Sequence, residues 1–142
     1  MPGIVRMSDA AALGLHTAVY LAATGDRRVT SAEVAKVLHA SPTHLAKVLQ
    51  RLVHAGIAES VRGPHGGFRL ARVPRDVTLM QVYEAVEGPF QATACLLGKP
   101  ICGGRRRILG TLLQEINEVF QRYMTQTRIS DVCAVFGKAV SR

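Results

Sequence analysis

The sequence predicts a mainly α-helical fold with one small β-hairpin. Apolar residues recur at helical spacing behind capping residues, two short β-compatible runs flank a glycine-rich turn, and an apolar stripe marks a longer helix near the end of the chain. With 142 residues, 48% of them apolar, the chain is long enough to bury roughly two-thirds of its unfolded surface. A core therefore needs neither disulfides nor a structural metal.

Composition and capping mark the first two predicted helices. Residues 8–24 are rich in alanine and contain no proline, and Gly25 follows as a stop. Thr30 and Glu33 have the spacing of a capping box, in which the hydroxyl and the carboxylate each accept a hydrogen bond from a free amide at a helix start. This spacing predicts a short helix over residues 31–38.

A third helix and the hairpin follow closely. Ser41 supplies an N-cap, Pro42 a first-turn proline, and Gly56 closes the helix. Its predicted buried face consists of Leu45, Val48, Leu49, Leu52 and Val53. Residues 57–62 and 68–72 are β-compatible runs, and three of the five residues between them are glycine. Two adjacent helices followed by a basic hairpin predict a winged helix-turn-helix.

Two further helices complete the predicted fold. Thr78 and Gln81 repeat the capping-box spacing before a helix that ends near Gly88. Residues 105–125 then form a longer helix with an apolar stripe of Ile108, Leu109, Leu112, Leu113, Ile116, Val119, Phe120 and Tyr123. The stripe can pair with the same helix of a second copy, or it can dock on its own domain under residues 129–142.

Nearly all of the excess positive charge lies in one tract. The chain has 18 Lys and Arg against 10 Asp and Glu, a net charge of +8. Residues 27–75 hold nine basic and two acidic residues, so this tract alone carries +7. Such concentration is typical of a protein with a polyanionic partner, most often nucleic acid. The alternative is a basic surface that serves only solubility.

The sequence lacks the common targeting and enzyme motifs. Residues 1–6 contain no apolar signal segment, and no run approaches the roughly 18 apolar residues of a membrane span. We therefore expect a cytoplasmic protein without a membrane partner, whose three Cys are thiols. A P-loop, a His-Glu-x-x-His motif and a Gly-x-Ser-x-Gly motif are all missing, so the sequence does not predict an enzyme.

The third helix and the hairpin carry the candidate DNA contacts. These are Thr43, His44, Lys47, Gln50, Arg51, Arg62 and His65. The first three lie on the exposed first turns of a recognition helix and are expected at base edges in the major groove, while Gln50 and Arg51 are expected at phosphates. Arg62, at the hairpin tip, suits a narrow minor groove. The alternative outside DNA binding is a module that binds an acidic protein partner.

Five stretches of the chain resemble a known family. The most specific is Glu-Ser-Val-Arg-Gly-Pro-His-Gly-Gly-Phe-Arg-Leu at residues 59–70, and the others are residues 45–49, 55–56, 77–82 and 87–88. Together they resemble the IscR/NsrR/CymR family of bacterial transcriptional regulators. The resemblance implies a homodimer with a winged helix in each protomer and a long C-terminal dimerisation helix. It also implies binding to a palindromic operator in double-stranded DNA, mostly as a repressor.

The resemblance also assigns individual positions. Thr43 and Arg62 fall where family members contact DNA, and Ala46 falls where some members carry an acidic residue that sets specificity. We therefore expect this chain to read a different or looser base pattern there. The predicted division of the chain is a winged helix-turn-helix domain over residues 1–88, a sensor loop over 89–104, a dimerisation helix over 105–127 and a tail over 128–142.

The predicted sensor loop contains two cysteines. Cys95 and Cys102, with Leu-Leu-Gly-Lys-Pro-Ile between them, resemble the first two of three Cys that hold an iron-sulfur cluster in some family members. A third Cys is missing from the expected position near Arg107 or Ile108. The resemblance implies that a carboxylate or imidazole from the partner's first helix can complete such a site. Asp9 and His16 are the candidates in this sequence.

Three interpretations of this loop remain open. Cys95 and Cys102 can hold a labile iron-sulfur cluster with non-Cys ligands. They can instead form a reversible disulfide, since a flexible loop permits closure and the basic run at residues 105–107 favours the thiolate. In the third interpretation the site is degenerate and both Cys are remnants.

Overall fold

A computed structural model describes residues 7–93, 108–109 and 111–136 and confirms the predicted fold class. The helices are α1 (Asp9–Ala23), α2 (Ser31–Val37), α3 (Pro42–His54), α4 (Leu79–Glu87), α5 (Leu112–Gln126) and α6 (Ile129–Val132). The hairpin consists of β1 (Ala58–Val61) and β2 (Gly67–Leu70), and Pro74–Asp76 and Cys133–Phe136 are 3-10 turns. Within the described ranges, none of the helices combines the length and apolar character needed to cross a bilayer.

Side-chain caps begin four of the helices, and the sequence predicts three of them, at Thr30, Ser41 and Thr78. Ser8 accepts from the amide of Ala11 at 3.0 Å at the start of α1, and Ser41 caps α3 in the same way. At α4 the capping box is complete, because the Thr78 hydroxyl accepts from the Gln81 amide at 3.1 Å and the Gln81 side chain accepts from the Thr78 amide at 2.9 Å. Each cap satisfies an amide that has no partner inside its helix.

The core lies between α1, α3 and α4. The fully buried side chains include Leu21, Val34, Leu45, Leu49, Leu52, Val77, Val82 and Ile129. The predicted buried face of α3 is confirmed at Leu45, Val48, Leu49 and Leu52, whereas Val53 is only partly buried. Gly14 lets α1 approach α4 closely, since a Cβ there would lie 2.6 Å from Cγ2 of Val86.

The hairpin is attached to the segment before α2. Its strands pair antiparallel with Ala58 opposite Leu70. On the other edge of β2, Val29 and Phe68 exchange two backbone hydrogen bonds of 2.9 and 2.7 Å. Gly67 permits this approach, because its φ is +153° and a Cβ there would lie 2.6 Å from the Val29 carbonyl oxygen. The hairpin is therefore connected to both ends of the helix-turn-helix. Strand β1 follows α3 along the chain, and β2 is hydrogen-bonded to Val29, just before α2.

The last described part of the chain differs from the prediction in two ways. Helix α5 begins at Leu112, and Ile108 and Leu109 lie in a turn rather than in a helix. Residues 128–136, predicted as part of a tail, pack into the core. The Ile129 amide donates to the Val77 carbonyl oxygen at 2.9 Å, and the Ile129 side chain is fully buried. This segment packs on α1 and the Pro74–Asp76 turn.

Candidate nucleic-acid interface

Helix α3 has a buried apolar face and an exposed polar face. Thr43, Ala46, Lys47 and Gln50 are exposed, and His44 is partly buried. The apolar side chains between them are in the core, so burial fixes which side of the helix faces outward. The first turns of α3 therefore present the predicted base-reading side chains together, at the edge of the domain.

A buried tyrosine joins α1 to α2. The Tyr20 hydroxyl donates to Oε1 of Glu33 at 2.9 Å, and the Arg27 guanidinium donates to both Glu33 oxygens at 2.8 and 3.2 Å. The Arg27 bond lowers the pKa of Glu33, and burial raises the pKa of Tyr20. The predicted capping box at Thr30 is therefore only half formed: Thr30 caps the Glu33 amide, while the Glu33 carboxylate binds Tyr20 and Arg27 instead.

The wing tip presents a cation and an imidazole. Arg62 and His65 are both exposed, next to a turn in which the Gly66 amide donates to the Gly63 carbonyl oxygen at 2.9 Å. Gly63 has a φ of +115°, and a Cβ on Gly66 would lie 2.2 Å from a backbone carbonyl oxygen. These two glycines therefore fix a tight turn that holds the Arg62 backbone beyond the body of the domain.

The basic residues of the tract divide into two groups. Four have internal partners in the described structure: Arg27 and Arg69 form ion pairs with Glu33 and Glu59, and Arg51 and Arg72 donate to backbone carbonyls. The other five are exposed and, within the described residues, have neither an ion pair nor a hydrogen bond: Arg28, Lys36, Lys47, Arg62 and Arg75. These five are the cations available to an external anion.

Arg51 has a role that the sequence did not predict. Its Nη1 donates to the carbonyl oxygen of Val86 at 2.8 Å, which links the last turn of α3 to the end of α4. The sequence predicts a phosphate contact for this side chain from its place one turn beyond Lys47. A partner 35 residues away leaves no local signal, apart from the general preference for a cation near a helix C-terminus.

Only two of the four predicted metal ligands lie among the residues that the structure describes. Cys95 and Cys102 lie outside the described residues. Asp9 and His16 are exposed and line one cleft of about 440 Å³ between α1 and the turn before α3, together with His39. Nδ1 of His16 lies 2.6 Å from a backbone carbonyl oxygen of its own helix. Among the residues that the structure describes, no three or more His, Cys, Asp or Glu are placed to hold a metal ion.

Helix α5 carries an exposed apolar stripe. Leu112, Val119 and Tyr123 are 40%, 54% and 56% exposed, and Ile116 between them is partly buried. Phe120 lies at the edge of the stripe and packs on Tyr83, with ring centroids 5.5 Å apart. Of the residues in α5, only Met124 is buried. One face of the helix thus contacts its own domain, and the stripe has no partner among the described residues.

This arrangement defines a class of protein. A helix-turn-helix with an exposed polar recognition face, a wing with an exposed arginine and five available cations form a DNA-binding domain. Residues 7–135 match the model of the Rrf2 family, described as an iron-dependent transcriptional regulator. The chain belongs to the Rrf2 family and is a DNA-binding transcriptional regulator.

Individual relatives and a solved structure agree with this assignment. BadM of Rhodopseudomonas palustris is 33% identical over 133 residues, which cover 92% of this chain and 83% of BadM. The HTH-type transcriptional regulator IscR of Cereibacter sphaeroides is 33% identical over 112 residues, covering 77% and 72%. CymR, the global cysteine regulator of B. subtilis, has the same fold, with a TM-score of 0.76 at 22% identity over 93% of this chain and 98% of CymR. The resemblance inferred from the wing is confirmed, as is the expectation that the chain is not an enzyme.

Proposed function

We propose that this regulator is a homodimeric repressor that occupies a palindromic DNA operator and responds to a signal at Cys95 and Cys102. The observation that carries the DNA-binding part is the exposed polar face of α3, together with an exposed Arg62 at the wing tip that has no internal partner among the described residues. Two such elements in one small domain suit a groove and its flanking backbone. We expect a protein whose function is to bind DNA in this way to lie in the cytoplasm.

The proposed contacts follow from the exposed side chains. Thr43, His44 and Lys47 lie on the first turns of α3 and reach base edges in the major groove. Gln50, one turn further along, contacts a phosphate. The wing residues Arg62 and His65 lie against the minor groove and its backbone. Arg51 is not included among these proposed contacts, because its Nη1 already donates to the Val86 carbonyl oxygen.

The proposed homodimer rests on the stripe of α5. Leu112, Ile116, Val119 and Tyr123 are spaced so that they share one helix face. A two-fold interface would pair this face with its own copy and so remove apolar surface from water twice. Two recognition helices about one DNA turn, roughly 34 Å, apart would then read the two half-sites of a palindrome.

The proposed signal acts at the loop between α4 and α5. The family is described as iron-dependent, which supports an iron-sulfur cluster at Cys95 and Cys102, with Asp9 and His16 as candidate further ligands. Because the described residues do not assemble this set, we propose no step through a cluster. The alternative is a regulator without a cluster, in which the two thiols form a disulfide. Either change would alter the separation of the two recognition helices.

Operator binding is tested by salt dependence with a matched control. Wild-type protein, Lys47→Met and Arg122→Met are titrated with DNA selected from a random-sequence pool at several salt concentrations. Phosphate contacts release counterions, so a steep fall in affinity with salt is expected for the wild type. Lys47→Met should bind more weakly, whereas Arg122→Met removes an equal charge from α5 and should bind as the wild type. Equal effects of the two variants would contradict the proposal.

The sensor is tested by anaerobic purification. Iron, acid-labile sulfide and visible spectra of the wild type are compared with those of Cys95→Ala and Cys133→Ala. The cluster predicts a coloured, iron-containing protein that loses its iron in Cys95→Ala but not in Cys133→Ala, since the wild-type Cys133 thiol donates to the Ser130 carbonyl oxygen at 3.5 Å. Colourless protein would exclude the cluster. Thiols of Cys95 and Cys102 that then stay reduced in peroxide would exclude the disulfide as well.

A further inference from the structure

The end of α4 is a junction of three helices. The side chain of Val86 is buried where α1 approaches most closely, because the position of a Cβ on Gly14 would lie 2.6 Å from Val86 Cγ2 and 3.6 Å from Cγ1 of Val48 on α3. The carbonyl oxygen of the same residue accepts the hydrogen bond from Arg51 at 2.8 Å. One residue of α4 therefore touches both α1 and the recognition helix.

In the sequence, the segment that contains Cys95 follows this junction. The Gly88 amide donates to the Glu84 carbonyl oxygen at 2.8 Å, and Gly88, with a φ of +85°, ends α4. The Glu87 carboxylate accepts a hydrogen bond from the Ser8 hydroxyl at the start of α1. Cys95 follows Gly88 by seven residues in the sequence. The last turn of α4 is thus joined to the start of α1 as well as to α3.

Arg51 suits the carbonyl that it binds. The last carbonyls of a helix have no amide partner within the helix, and a cation close to them is favoured by the helix dipole. Val86 is the penultimate residue of α4, and the guanidinium of Arg51 supplies the missing donor. Because the bond is partly buried, losing it would leave the carbonyl poorly satisfied.

We propose that Arg51 is a positioning residue that sets the angle of α3 against the end of α4 and so places the first turns of α3 on DNA. This inference rests on the proposed function, in which α3 reads the operator. Thr43 lies eight residues before Arg51, so the two are about 12 Å apart along the helix axis. A tilt of about 5° at the Arg51 end would move Thr43 by about 1 Å, which is enough to spoil hydrogen-bond geometry at a base edge.

The test separates positioning from phosphate contact. Arg51→Lys keeps the charge but loses the planar guanidinium, and Arg51→Met loses both. Each is compared with Arg62→Met for affinity to the selected duplex, for the slope of log affinity against log salt, and for amide hydrogen exchange in α3 and at the end of α4. Thermal unfolding shows whether each variant is folded. Arg51→Lys also provides a milder change if Arg51→Met is unstable.

We expect Arg51→Met to bind about five- to tenfold more weakly and Arg51→Lys to lose less affinity, both with an unchanged salt slope and with faster exchange at Glu87 and Gly88. Arg62→Met should lower the slope by about 1.8 for two protomers and leave exchange at these amides unchanged. Wild-type affinity in Arg51→Lys, or a lower slope in Arg51→Met, would overturn the proposal in favour of a phosphate contact. Wild-type exchange in both variants would also overturn it. If the wild-type protein does not bind DNA, the proposed function is wrong. The exchange data then still decide whether Arg51 joins α3 to α4.

Discussion

Replacing Ile129 by Ala tests whether the segment after α5 is part of the core. The Ile129 side chain is 0% exposed, whereas Val135, six residues on, is 76% exposed. Ile129→Ala removes three buried carbons, worth about 2.4 kcal/mol in transfer free energy. The cavity left behind adds to this, so we expect the free energy of unfolding to fall by about 3 kcal/mol. For a chain of this size, that corresponds to a melting temperature lower by roughly 10 °C.

The assay is urea and thermal unfolding at one fixed protomer concentration, because a dimer's stability depends on concentration. Val135→Ala is the control and should change the unfolding free energy by less than about 0.5 kcal/mol. The backbone bonds of Ile129 to Val77 and of Leu79 to Thr127 are kept in both variants, so the difference reports side-chain packing. Equal unfolding free energies for the two variants would refute the reasoning, since they would show that residues 128–136 do not fold with the domain.

Three further substitutions test single interactions. Glu33→Gln should destabilise the protein at neutral pH, because the pKa of this carboxyl is lowered in the folded state. The deficit should shrink as the pH falls below about 4.5, where the carboxyl of the unfolded wild type becomes protonated, and should vanish below the lowered pKa of the folded carboxyl, as unfolding curves against pH will show. Thr17→Val replaces a buried hydroxyl that has no hydrogen-bond partner among the described residues, and it should leave stability equal or raise it by about 1 kcal/mol. Thr24→Val, which loses a 2.9 Å bond to a carbonyl oxygen, should lower stability. Val119→Lys should weaken dimerisation by about tenfold or more in sedimentation, and Gln121→Lys, on the opposite side of α5, should not.

Much of the fold could be predicted because the signals are local. A cap and the residue that it satisfies are three positions apart, as at Thr78 and Gln81, so the sequence itself shows both partners. The buried face of α3 follows from helical periodicity in the same way. The turn at Gly63 and Gly66 follows from the backbone freedom of glycine. Each of these predictions needs only a few consecutive residues.

The missed features depend on partners far apart in the sequence. Glu33 satisfies the rule for a capping box, yet its carboxylate binds Tyr20 and Arg27, whose positions depend on how α1 packs. Arg51 is chemically suited to a phosphate or to a helix end, and only the tertiary fold places Val86 beside it. Apolar periodicity around Ile108 predicts a helix there, but the structure has a turn. Local patterns give the residue type needed at a position, whereas the fold selects its partner.

The wing offers a direct test of how the basic tract meets DNA. Arg62 and Arg69 lie on the same hairpin, but Arg69 forms an ion pair with Glu59, whereas Arg62 has no internal partner among the described residues. The two carboxylates of the tract are both in ion pairs, so net charge alone does not show which cations can release counterions from DNA. Arg62→Met should lower the salt slope by about 1.8 for two protomers, with the largest loss of affinity at A·T-rich flanks. Arg69→Met, with the same change in charge, should leave the slope unchanged. Equal slopes in the two variants would show that total charge, and not the pairing of individual residues, governs binding.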